Sequence, residues 1–70
     1  MTDTEKLNLY IKNSGLKLGY IAEYVGLSRA GLWKKIKNES SFNQYEIEKL
    51  CKLLNIKTLK EKETIFFAKM

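Results

Sequence analysis

The stretch Ile21–Ile36, "IAEYVGLSRAGLWKKI", decides how this chain is read. Ile21, Ala22 and Val25 have the spacing of one inward helix face. Gly26 then breaks the pattern, because glycine takes the left-handed conformation that ends a helix without a Cβ clash. Ser28 follows, a residue type that accepts a hydrogen bond from the first turn of the next helix. Beyond it, Leu32 and Ile36 lie one turn apart and face a core. Ala22 is small enough to let a second helix cross closely, and Leu27 and Leu32 pin that helix to the first. The spacing therefore predicts two short helices joined through a glycine-containing turn. With Leu32 and Ile36 inward, Ala30, Trp33, Lys34 and Lys37 share the outward face, at i, i+3, i+4 and i+7. That stripe holds no acid, and Arg29 stands just before it. A helix that only filled a core would not need an outward tryptophan among lysines.

The flanking segments have the same short period. Thr2 and Glu5 have capping-box spacing, with Asp3 as a competing cap. Leu7, Tyr10, Ile11 and Ser14 then share a face, and Gly15 stops the unit. The second unit is expected over about Gly19 to Val25. In the fourth, Asn43 and Glu46 have capping-box spacing and Phe42 can staple to Ile47. Ile47, Leu50, Cys51 and Leu54 make an i, i+3, i+4, i+7 stripe, so Cys51 is expected in the core and not as a nucleophile. In the tail "TLKEKETIFFAKM", Thr58 and Glu61 form another capping-box signature. Ile65, Phe66 and Phe67 fit either the end of a helix or a short strand. They are apolar enough either to complete the core or to join two copies about a two-fold axis.

These units predict an all-α protein, a compact four- to five-helix bundle. At 70 residues the chain is read as one domain over 1–70. A domain of this size buries only about 60% of its unfolded surface. The apolar fraction of 44% suits a globular chain. No apolar run approaches the roughly 18 residues of a membrane span, and no signal-peptide pattern opens the chain. With a single cysteine there is no intrachain disulfide, so a cytoplasmic protein is expected. The formal net charge of +5 favours an acidic or polyanionic partner. There is no histidine, no glycine-rich phosphate loop and no convergent set of carboxylates. Catalysis, a cofactor and a metal are therefore not expected.

Together, "IAEYVGLSRAGLWKKIKN", the following "F", "EIEKLCKLLNI" and "EKETIFFA" resemble the lambda-repressor/Cro-like (XRE-type) helix-turn-helix family. The chain is most similar to its small single-domain phage-type regulators from Gram-positive bacteria and their phages. The resemblance runs from about Leu16 to Ala68, with the helix-turn-helix at about 18–37. It implies a five-helix bundle whose third helix enters the major groove of operator DNA, usually as a dimer on two half-sites. The residues it assigns to a DNA or partner contact are Lys17, Ser28, Arg29, Ala30, Trp33, Lys34 and Lys37, with Lys35 counted among the phosphate-facing cations.

Two departures from the family pattern matter. Its members commonly start the second helix with a polar phosphate clamp, whereas Leu18 cannot donate and Lys17 must substitute as a point charge. Ala30 and Gly31 offer nothing to base edges, which leaves Arg29 to read them. The family also includes modulators or antirepressors that bind the helix-turn-helix domain of a cognate repressor and block its DNA face. An Ala-Gly-Trp ridge suits that role as well, with Trp33 as a hot-spot residue. The expectation is thus a regulator of a lysogeny/lytic switch that binds operator DNA, or alternatively a modulator that binds the repressor through the same helix. A toxin–antitoxin-type adaptor comes third, and Trp33 folded down onto the domain surface is the plain structural alternative.

Overall fold

A computed structural model describes residues 1–68 as five α-helices, with no strand among the described residues. They are α1 (Thr4–Ser14), α2 (Leu18–Val25), α3 (Arg29–Ile36), α4 (Gln44–Leu53) and α5 (Leu59–Phe66). α2 lies at the centre and packs on both α3 and α4, while α1 packs on α3 and α5. Their shared core takes Leu7 from α1, Ile21, Ala22 and Val25 from α2, and Leu32 and Ile36 from α3. Ile47 and Leu50 come from α4, Leu54 and Ile56 from the turn beyond it, and Ile65 and Phe66 from α5. Among the described residues, no helix is long and apolar enough to cross a membrane.

Local chemistry sets the helix boundaries. Gly15 and Gly26 end α1 and α2 at φ values of 72° and 89°. At Gly26 an added Cβ would meet nothing within 4 Å, so the positive φ, and not crowding, calls for glycine. The Gly26 and Leu27 N–H groups both donate to the Ala22 carbonyl, at 2.9 Å, which closes the turn. Ser28 Oγ accepts from the Gly31 N–H at 3.0 Å and starts α3. A Cβ on Gly31 would stand 3.0 Å from that same oxygen, so the small residue lets the cap close. At α4 both halves of the Asn43–Glu46 capping box are present.

Two local expectations are corrected. Asp3, not Thr2, caps α1, accepting from the Lys6 N–H at 3.1 Å. Thr2 is buried, and its backbone is engaged by Asn38, which is remote in sequence and follows the end of α3. Only half of the Thr58–Glu61 box forms: Thr58 accepts from the Glu61 N–H, but the Glu61 carboxylate turns to the Tyr10 hydroxyl at 2.6 Å. The Phe42 ring also meets Phe66 of α5 edge-on, with ring centroids 5.7 Å apart.

The tail is helical. Ile65 and Phe66 complete the core, at 1% and 3% exposure, while Phe67 remains exposed. Cys51 is half-buried at the edge of the core, and burial pushes its thiol pKa up, which suits packing and disfavours a reactive thiolate.

Candidate nucleic-acid or partner interface

α3 is oriented by its two inward anchors. Leu32 and Ile36 have no exposed surface. The helix periodicity then forces their neighbours outward, and Arg29, Ala30, Trp33, Lys34 and Lys37 are all exposed. The lysines of the last turn also complement the carbonyl end of the helix dipole. Ser28 is exposed as well, but its hydroxyl is committed to the cap.

The start of α2 joins this face. Lys17 is the N-cap residue, with no side-chain capping bond and no acid in the first turn. The N–H groups of Leu18, Gly19 and Tyr20 have no partner among the described residues. Open N–H groups beside an exposed lysine favour an anion at this end.

Leu18, Arg29, Ala30 and Trp33 line one groove of about 490 Å³ between the start of α2 and α3. Its walls are apolar side chains and one guanidinium. Trp33 is 41% exposed, so the ring neither folds into the core nor stands free. Lys37 Nζ lies 5.7 Å from its ring centroid, within cation–π range.

Two charges on α3 differ from expectation. Lys35 does not face a ligand: its Nζ pairs with Glu46 Oε1 at 2.7 Å, with side chains only 17% and 8% exposed. The same Glu46 oxygen accepts the Asn43 N–H at 2.9 Å, so one carboxylate ties α3 to the start of α4. Lys37 caps the end of α3 and pairs with Glu39 at 3.1 Å in the open. The stripe itself is free of acid, but the turn behind it brings one in. The fully available cations of the ridge are thus Lys17, Arg29 and Lys34, with Lys37 partly neutralised. Ile65 and Phe66 take no part in this face.

A second exposed aromatic patch went unnoticed in the sequence. Lys49 Nζ sits 5.1 Å from the Tyr24 ring and 5.4 Å from the Tyr45 ring, between α2 and α4. The signal was present: with Ile21, Ala22 and Val25 inward, Tyr20 and Tyr24 must share an outward face of α2. Among the described residues, no group of three or more His, Cys, Asp or Glu is placed to hold a metal.

No known protein family, curated protein or solved structure matches this chain.

Proposed function

We propose that the chain is a single helix-turn-helix domain over 1–70 and acts as a small phage-type transcriptional regulator in the host cytoplasm. In this reading α2, Gly26-Leu27-Ser28 and α3 form the helix-turn-helix, and α3 contacts operator DNA. The reading is supported by one observation above the others. Leu32 and Ile36 fix α3 in the core while Arg29, Ala30, Trp33 and Lys34 project from it, with Lys17 beside the open N-terminus of α2. Lys17, Lys34 and Lys37 serve phosphates, Arg29 serves a guanine edge or a phosphate, and Ala30 and Trp33 meet sugars or thymine methyls. The reaction is binding, not catalysis.

The test is the salt dependence of binding to double-stranded fragments of the flanking switch region. The logarithm of affinity should fall linearly with the logarithm of salt, with a slope of about −0.9 per phosphate contact. Lys34→Ala should flatten that slope by about one unit. Lys35→Ala should leave it unchanged, because Lys35 is spent on Glu46. No binding to any such fragment at low salt sinks the DNA reading.

The apolar groove favours a second reading. A pocket of Leu18, Ala30 and Trp33 beside Arg29 suits an apolar side chain next to a carboxylate better than it suits a phosphate backbone. A modulator that binds a cognate repressor domain has this requirement. Trp33→Ala and Arg29→Ala separate the two. A loss of about 2 kcal/mol, roughly thirtyfold, from Trp33→Ala against the repressor domain and not against DNA selects the modulator.

A further inference from the structure

α3 has only eight residues, too few to hold its shape without anchors at both ends. Ser28 anchors the first turn. The last turn has an unusual anchor, built from the far end of the sequence.

Residues Met1 to Thr4 run as a strap from the end of α5 to the end of α3. The Met1 carbonyl accepts from the Ala68 N–H at 2.9 Å, and the Asp3 N–H donates to the Ile65 carbonyl at 2.6 Å. Between them, Thr2 is gripped by one side chain. Its N–H donates to Asn38 Oδ1 at 2.9 Å, and its carbonyl accepts from Asn38 Nδ2 at 2.8 Å. The Thr4 hydroxyl donates to the Ile36 carbonyl at 2.6 Å, one of the carbonyls left open where α3 ends. The strap backbone is thereby satisfied from Met1 O through Asp3 N, and Thr2 is buried at 7% exposure.

Asn38 stands at φ 67°, in the left-handed region. Glycine fills that role after α1 and α2. Asparagine tolerates it at modest cost and adds a side-chain amide. Asn55 takes the same conformation after α4 with no side-chain hydrogen bond among the described residues, so the clasp at Asn38 is not a by-product of the turn.

We infer that Asn38 is a positioning residue for the α3 ridge: its clasp on Thr2 fixes the last turn of the helix, and with it Lys34 and Lys37. Arg29 does not depend on it, because Ser28 holds the first turn separately. The effect on binding rests on the DNA reading proposed above, while the clasp itself has its own readout.

Asn38→Gly keeps the left-handed backbone and removes the clasp. Asn38→Asp keeps the acceptor for the Thr2 N–H and removes the donor to the Thr2 carbonyl. Thr58→Ala, which removes the α5 cap far from α3, supplies a control of lowered stability. In amide hydrogen exchange, Asn38→Gly should cut the protection of the Lys37 and Glu39 N–H groups by about tenfold relative to that of Leu32 and Leu54, with Asn38→Asp between. Thr58→Ala should show no such selective loss at the end of α3. A uniform fall in Asn38→Gly, matching the control, overturns the positioning role.

Binding to switch-region DNA gives the second arm. Asn38→Gly should weaken binding by about tenfold, and that loss should shrink in a Lys37→Ala background while persisting in an Arg29→Ala background. Equal losses in both backgrounds overturn the inference while leaving the DNA reading intact. Absence of DNA binding by the unaltered protein overturns the DNA reading instead, and the exchange result then decides the clasp by itself.

Discussion

α3 and α4 are short helices of similar length that use their polar residues in opposite directions. α4 turns its first turn on itself: Asn43 and Glu46 cap each other, and Glu46 also holds Lys35. α3 has a one-way cap from Ser28, no acid in its first turn, and leaves Arg29, Trp33 and Lys34 in solvent. Apolar anchors are common to both, with Leu32 and Ile36 in one and Ile47 and Leu50 in the other. The difference teaches that exposed charge is informative only after local partners are subtracted. Lys34 and Lys35 are adjacent in sequence, yet one faces outward and the other is a half-buried ion paired with Glu46.

The largest expected effect tests whether both helices rest on one core closed by α5. Ending the chain after Glu63 removes Ile65 and Phe66, each worth roughly 3 kcal/mol. Two such losses, roughly 6 kcal/mol, take most of the stability of a small domain held by about 0.05–0.15 kcal/mol per residue. The truncated chain should show no cooperative thermal unfolding, and a folded truncation would place these side chains outside the essential core.

Next comes the contrast between Glu46 and Arg29. Glu46→Ala removes the reciprocal half of the cap and strands Lys35, and should cost about 2–3 kcal/mol in chemical denaturation. It should leave the folded protein's ligand affinity nearly unchanged. Arg29→Ala should shift stability by less than about 0.5 kcal/mol and weaken binding instead. A destabilised Arg29→Ala, or a stable Glu46→Ala, breaks the division of labour between the helices.

A smaller effect sharpens the comparison at the caps. Asn43→Ala and Ser28→Ala should each cost about 1 kcal/mol, with Asn43 the larger because its loss also dismantles the box. Urea midpoints of the two variants decide the ranking.

The smallest effect lies at the α1–α5 contact. The Tyr10 hydroxyl donates to the Glu61 carboxylate, and that bond raises the Tyr10 pKa above its ordinary value. Burial and the negative charge of Glu61 push the same way. A raised folded-state pKa stabilises the protonated phenol, so this contribution is fully present below the unfolded value of about 10 and is lost as pH rises through the folded pKa. Tyr10→Phe should therefore narrow its stability gap to the parent as pH is taken above about 10. A gap that stays constant with pH argues against the bond.

Much of the fold was legible because it follows from local rules. The glycine stops at Gly15 and Gly26, the caps at Ser28 and Asn43, and the inward set Ile21, Ala22, Val25, Leu32 and Ile36 all stand where spacing placed them. The outward positions of Ala30, Trp33, Lys34 and Lys37 followed from the same wheel. Lys35, Glu61 and Thr2 were misread because each has a partner far away in sequence that competes with its local role. A buried carboxylate at 2.7 Å outweighs solvent for Lys35, and a phenol at 2.6 Å outweighs the reciprocal cap for Glu61.

The sequence by itself determined that this chain is helical, where its turns fall, and which face of α3 looks outward. Those features depend on backbone conformation and on a period of 3.6, and both are written within a few residues. Only the tertiary structure decided which polar groups remain free for a partner. It joined Leu18 to Arg29, Ala30 and Trp33 in one groove, withdrew Lys35 into an ion pair, resolved the tail as a helix, and set Asn38 on the backbone of Thr2. Such pairings depend on side-chain reach across elements, where hydrogen bonding and desolvation are settled by packing and not by spacing along the chain.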